Sequence, residues 1–201
     1  MFNTSEDEVR CAFQHVNPNK ALHGPINIAP RVLKACAQQL ACIFCILFSV
    51  CFSTNTVPAA WKTACIVPIP KQPVISSMND LRPVALTSAV IKLCELVVLC
   101  KLEKLVKDFI DPLQFAYRKN RSTDDVVLYS LENIYSRLQK TGSTVRLMFF
   151  NFSSAFNTIQ PHLLVQKLYN MKLPSSIIPW ISDYLTSRPV CKAKWITVIC
   201  Y

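Results

Sequence analysis

Ala64-Cys65-Ile66-Val67-Pro68-Ile69-Pro70-Lys71 and, eight residues on, Asn79-Asp80-Leu81-Arg82-Pro83-Val84-Ala85-Leu86-Thr87-Ser88 are the stretches on which the fold turns. Residues 64–69 are rich in β-branched and apolar side chains. Their prolines remove ladder donors, so this run reads as a strand at a sheet edge. The segment from Pro70 to Asp80 is dense in turn formers, and Arg82 to Leu86 reads as a second extended element. Helical patterns surround this pair. Residues 5–16 form a short amphipathic helix, and Pro30 opens a helix expected to run to about Ser53, at a first-turn position where its missing N–H does no harm.

Downstream, residues 87–107 read as helical. Ser122-Thr123-Asp124-Asp125 has the form of a capping box ahead of a helix with apolar residues at Val127, Leu131, Ile134 and Leu138. The Asp124-Asp125 pair therefore reads as helix-end chemistry, negative charge meeting the positive helix terminus, before it reads as a catalytic pair. Gly142 is expected to end that helix, and Val145 to Phe152, mostly apolar, to form a central strand covered by helices. Two short helices follow, at about 161–171 and 175–186. The order gives an α+β or mixed α/β fold with one core.

Composition narrows the function. The chain has 201 residues, about the size of one ordinary domain. Its two glycines, Gly24 and Gly142, cannot build a Gly-rich phosphate loop or dinucleotide fingerprint. With 22 basic against 12 acidic residues the formal charge is +10, which makes a polyanion such as nucleic acid a candidate partner beside plain surface solvation. Of ten cysteines, Cys36, Cys42, Cys45, Cys51, Cys94 and Cys100 lie in apolar runs, where a free thiol behaves as a small hydrophobe. Cys42 and Cys45 make one CxxC pair, without the second half of a zinc site. The polar, acidic start MFNTSEDEVR has no signal-peptide character, so the thiols read as reduced and the protein as intracellular, nuclear or cytoplasmic. The apolar run Leu40 to Phe52 is too short to span a bilayer, and Lys92 and Glu95 interrupt Val84 to Cys100; no membrane partner is expected.

Four segments in order carry a resemblance. The first is Lys20-Ala21-Leu22-His23-Gly24-Pro25-Ile26-Asn27-Ile28. The second is Trp61-Lys62 with Ile66-Val67-Pro68-Ile69-Pro70-Lys71, leading into Asn79 to Ser88. The third is Leu113-Gln114-Phe115-Ala116-Tyr117-Arg118-Lys119-Asn120-Arg121-Ser122-Thr123-Asp124-Asp125. The fourth is Phe150-Asn151-Phe152-Ser153-Ser154-Ala155-Phe156-Asn157-Thr158-Ile159. Together, over about residues 5–195, they resemble the reverse transcriptase domain of non-LTR (LINE-type) retrotransposons, as a truncated and degenerate copy. The resemblance implies the fingers and partial palm of a right-hand polymerase fold, incomplete. It divides into an N-terminal helical region (1–60), a fingers-like region (61–125) and a partial palm (126–201) ending before the family's Y-x-D-D hairpin.

The resemblance also assigns roles. Lys71 and Arg82, a point charge beside a planar fork, suit the triphosphate of an incoming dNTP, although two solvated strand-end cations would look the same. Phe152 and Phe156 fall in the nucleotide pocket, Phe156 where the family checks the sugar 2′ position; an ordinary core Phe is the alternative. Arg118, Lys119 and Arg121 beside Phe115 and Tyr117 suit an RNA or DNA template-primer, cations on phosphate and rings for stacking, or else merely flank a turn. The family transfers nucleotides with Mg²⁺ held by three aspartates. Position 151, which should carry the first, is Asn, and Ile26-Asn27 replace the family's Asp-Gly in the entry loop. With Tyr201 as the last residue, no P-Q-G segment or Y-x-D-D is reached. No productive Mg²⁺ binding and no DNA synthesis are expected. The expected function is that of an inactive fragment of an RNA-directed DNA polymerase. The alternatives are a non-enzymatic nucleic-acid-binding remnant and a small membrane-associated protein.

Overall fold

The computed structural model describes residues 3–19, 28–152 and 158–191. The chain separates into two compact units, one of Met1–Leu105 with Gln160–Tyr201, the other of Val106–Ile159. Every buried apolar side chain among the described residues belongs to the first unit, so the expected single core is there. The architecture is α+β.

The first unit opens with α1 (Glu6–Gln14). Ser5 and Glu8 cap it reciprocally and three acidic residues fill its first turn, so both local hydrogen bonding and the helix dipole favour its start. It buries Val9, Ala12 and Phe13. The long helix expected from Pro30 is two, α2 (Pro30–Ala35) and α3 (Ala37–Thr54). Cys36, at φ −98° and ψ 21°, breaks the helical path without any proline or glycine. The break lets each helix aim its own side chains inward, Leu33 from α2 and Ala41, Phe44, Phe48 and Phe52 from α3. Asn55 in the left-handed region (φ 54°) ends α3, with Thr56 N–H bonding back to Cys51 O as in a Schellman turn.

Aromatic rings knit this core. Phe13 meets Phe44 edge-on at 5.3 Å, Phe44 meets Phe48 at 5.8 Å, and Phe48 meets Trp61 of α4 (Ala59–Lys62) at 5.8 Å. Phe52 meets Trp180 of α8 (Ile178–Leu185) at 5.3 Å. Edge-on pairs at these spacings use the ring quadrupoles and add to the gain from burial. Cys51 and Cys94 are buried as the sequence suggests; Cys42 and Cys100 are exposed, and the Cys45 thiol donates to Thr4 O at 3.1 Å. Burial pushes the Cys51 thiol above its ordinary value and the Cys94 thiol far above it, which disfavours the reactive thiolate at both.

The two extended elements form as expected, β1 (Ala64–Pro70) and β2 (Leu81–Thr87), antiparallel over seven residue pairs from Ala64↔Thr87 to Pro70↔Leu81. One correction concerns the edge. β1 is the middle strand of the order β2-β1-β3, because β3 (Val190–Cys191) adds in parallel at Ala64 and Cys65. The prolines nevertheless obey the ladder. Ala64 N–H points to the β3 side, bonding Pro189 O at 3.1 Å. Backbone direction alternates along a strand, so positions 68 and 70 face the same way. Both are proline, and β3 stops short of them. Pro68 lies opposite Pro83, where neither is asked to donate to the other.

α5 (Ala89–Val106) then buries Val90, Ile91, Leu93, Cys94, Val97 and Val98, and α7 (Pro161–Asn170) and α8 complete the unit. No helix among the described residues is long and apolar enough to cross a membrane.

The second unit holds α6 (Thr123–Leu138), started by the expected capping box of Ser122 and Asp125. None of its residues is buried; Val127, Leu131 and Leu138 are all exposed. The helix ends at Leu138, four residues before Gly142. That glycine instead occupies, at φ +77°, the third position of a turn closed by Ser143 N–H on Lys140 O. A second correction concerns residues 145–152. They form no strand, because no other described strand pairs with them, and Phe149, Phe150 and Phe152 are at least 79% exposed.

Candidate nucleic-acid interface

The β1–β2 ladder brings Lys71 and Arg82 to one end of one hairpin. Lys71 follows β1 directly, and its backbone N–H closes the turn on Asp80 O at 2.7 Å. Arg82 stands opposite Ile69. Alternation places positions 69 and 71 on one face of the ribbon, so Lys71 and Arg82 are diagonal neighbours on that face. Their surroundings differ. The Lys71 ammonium donates to Asn79 O within the turn, whereas the exposed Arg82 guanidinium has no hydrogen bond or ion pair among the described residues.

Asp80 organises this end of the hairpin. Its carboxylate accepts from Ser76 N at 2.9 Å and Ser77 N at 2.8 Å, closing a short 3₁₀ turn, Met78–Asp80. These backbone bonds, with Lys71 nearby, hold its carboxyl below the ordinary value. The acid is therefore spent on its own turn, and two cations remain. Arg82 can grip an anionic oxygen through its fork at once; Lys71 would first exchange its carbonyl.

The second cluster is the loop before α6. Asp111 begins it by accepting from Leu113 N at 2.8 Å. Tyr117 and Asn120 take left-handed backbone angles, φ 58° and 59°, which fold residues 117–121 into a tight turn. Arg121 lies over the Phe115 ring at 5.4 Å, and Phe115 leans on Tyr129 of α6 at 5.9 Å. Arg118 reaches Asp111 O at 3.4 Å. Lys119 is exposed and has no partner among the described residues. Tyr117 is 86% exposed, so this ring is not core. The cluster is thus a shaped loop, with one cation held on a ring and another open to solvent.

Asn151 and Phe152 fall in the unpaired 145–152 run and are exposed. Phe156 and most of the first resembling segment, residues 20–27, lie outside the described residues. Lys71 and Arg82 belong to the first unit; Arg118, Lys119, Arg121, Asn151 and Phe152 to the second. No set of three His, Cys, Asp or Glu side chains among the described residues is arranged to hold a metal ion. At position 151 the side chain offers a neutral amide oxygen, a poor substitute for the anionic ligands Mg²⁺ prefers. The residues described here do not fit that ion.

Two polar networks escape a reading of the sequence. Lys62, 5% exposed, donates to both the Asp183 carboxylate and its backbone O at 2.9 Å, while the other carboxylate oxygen accepts from Val57 N at 2.7 Å. Burial alone would raise the Asp183 carboxyl, but the Lys62 and Val57 bonds outweigh it and hold it low. Tyr184 donates to Glu95 and stacks on Trp180 at 5.5 Å, with Arg188 over its other face at 4.3 Å. Burial, then the Glu95 carboxylate, pushes the phenol far up. The only forward signals are polar residues isolated in apolar helices. The first network ties α4 to α8 and the second ties α5 to α8, both within the first unit.

No curated protein matches the chain. The family model described as reverse transcriptase (RNA-dependent DNA polymerase) matches residues 69–199, from the tip of β1 through both cationic clusters and position 151, and with well over half its length inside that match the chain belongs to this family.

Proposed function

We propose that the chain is a non-LTR (LINE-type) reverse transcriptase segment that holds nucleic acid and nucleotide phosphate without catalysing synthesis. In this reading β1 and β2 are the fingers. Arg82 and Lys71 contact the triphosphate of a dNTP, and Arg118, Lys119 and Arg121 contact the backbone of an RNA or DNA template-primer. Asn151 stands where the family carries its first metal-binding aspartate, and this observation carries the claim of inactivity. A missing anionic ligand weakens charge stabilisation at the reacting phosphate, which costs orders of magnitude in rate. Residues 126–201 correspond to the palm, and the expected setting is intracellular. The +10 charge, with Arg82 and Lys119 lacking a partner among the described residues, favours retained binding over a wholly inert remnant.

Primer extension on a poly(rA) template with Mg²⁺ or Mn²⁺ tests the chemistry, and the expected result is no product. Clear synthesis by this chain sinks the inactivity claim. Labelled RNA tests binding separately. Binding should appear at low salt and fall steeply as salt rises, because each phosphate contact releases a counterion. No shift at low salt removes the binding reading.

A further inference from the structure

β3 is two residues long and joins the sheet at the root of the hairpin, where Ala64 pairs with Val190 and Cys65 with Cys191, in parallel. The ladder thus sets two cysteines side by side from segments far apart in the sequence, both in the first unit. Neighbouring strands run about 4.8 Å apart, and residues paired across a ladder occupy the same face of the sheet. A disulfide spans Cα atoms roughly 4.4–6.8 Å apart, so this register position meets the backbone requirement for one. Cys65 is a free thiol and only half-buried, within reach of a small solute. The ladder it belongs to is thin. The bond from Ala64 N–H to Pro189 O, 3.1 Å, secures its start, and β3 ends at Cys191.

We propose that Cys65 and Cys191 are a reversible redox pair, oxidised by a low-molecular-weight disulfide to a bond that fastens β3 to β1. The Cys65 thiolate attacks one sulfur of the small disulfide, forming a mixed disulfide and expelling one thiolate. The Cys191 thiolate then attacks the Cys65 sulfur, closing the protein bond and expelling the second thiolate. The small disulfide takes up the two electrons that the cysteines give, and the two protons that the cysteines lose end on the departing thiolates. Strand spacing exceeds the roughly 3.8 Å that linked Cβ atoms prefer, so closure draws the strands together and leaves the bond easily reduced again. Other pairings have less to offer. Cys51 and Cys94 are buried away from the oxidant, and Cys42 and Cys45 lie one turn apart on α3, where a bond would fasten no distant segment. The Cys65–Cys191 bond acts on the base of the hairpin, away from Lys71 and Arg82 at its other end.

The test exposes the full chain, first reduced, to oxidised glutathione in native buffer, then alkylates the remaining thiols and digests the protein without reductant. The tryptic peptide Thr63–Lys71 should be recovered linked to the peptide that contains Cys191, and dithiothreitol should release it. An unfolded chain with ten cysteines has many pairings to choose from, so the link should be about tenfold or more rarer when oxidation is done in urea. Exchange of the Ala64 amide should slow about tenfold or more on native oxidation, and Cys65→Ser and Cys191→Ser should each abolish that slowing. Recovery of Cys65 only as a free thiol or a glutathione adduct overturns the proposal, as does an equal yield of the link in urea. A link that forms natively but leaves Ala64 exchange unchanged overturns its role in fastening β3.

Discussion

The β1–β2 hairpin and the 145–152 run are both apolar, strand-like and rich in family motif, yet only one forms a ladder. The hairpin supplies its own second strand within ten residues of turn, and its root rests on a third. The 145–152 run has no such neighbour among the described residues. The same contrast separates α3, which buries Ala37, Ala41, Phe44, Phe48, Cys51 and Phe52, from α6, which buries nothing. A recognisable motif and a packed environment are thus independent properties. The first lies in the residue types, the second in which surfaces meet.

Single substitutions should make that contrast measurable. The largest effect is expected for Phe48→Ala, which removes a fully buried ring touching two others and should cost about 4 kcal/mol in chemical denaturation. Leu131→Ala on α6, 42% exposed, should change the same transition by less than about 0.5 kcal/mol. Comparable losses at the two sites would erase the distinction drawn between the units.

Next comes Asp183→Ala, which strands the buried Lys62 ammonium; about 3 kcal/mol is expected, at the low end because the Asp183 side chain keeps 32% exposure. Lys62→Met in that background should recover most of the loss, and a double variant as unstable as the single one would show that the pair is not the cause. This contribution depends on pH in a definite direction. The folded Asp183 carboxyl lies below its unfolded value, so its stabilisation is fully present above about pH 4 and is lost as pH falls through the lowered folded value.

The smallest effect is local. Asp80 is likewise held low, so the Ser76 and Ser77 amides should stay protected at neutral pH and exchange faster only once acid protonates the folded carboxyl. Asp80→Asn should accelerate their exchange at neutral pH while leaving global unfolding nearly unchanged. A large global loss would mean that the tip of the hairpin supports the core.

Much of this was legible in advance. Ser122 and Pro30 mark helix starts because capping and proline geometry act within one turn, and the structure keeps both. β1 and β2 were readable from their β-branched runs. The position of β1 in the middle of the sheet was not, since it depends on two residues at Val190–Cys191, far along the chain. The break at Cys36 has no local breaker to announce it. The strand expected at Val145–Phe152 failed for the converse reason, since hydrophobicity reports readiness to pair and not the presence of a partner. At the candidate site, the resemblance pointed to Lys71 and Arg82, but that Asn79 occupies one and no described residue occupies the other required coordinates. The Lys62–Asp183 pair, 121 residues apart, was invisible.

The prolines of the hairpin have a mechanical consequence. With Pro68, Pro70 and Pro83 unable to donate outward, no third strand can grow along the distal half, and the end bearing Lys71 and Arg82 stays a two-stranded ribbon. Such ribbons twist more than wider sheets. The hairpin is therefore a graded spring, stiff where β3 and the aromatic core clamp its base and compliant at the cationic tip. A displacement at that tip would bend the ribbon before it disturbed the core.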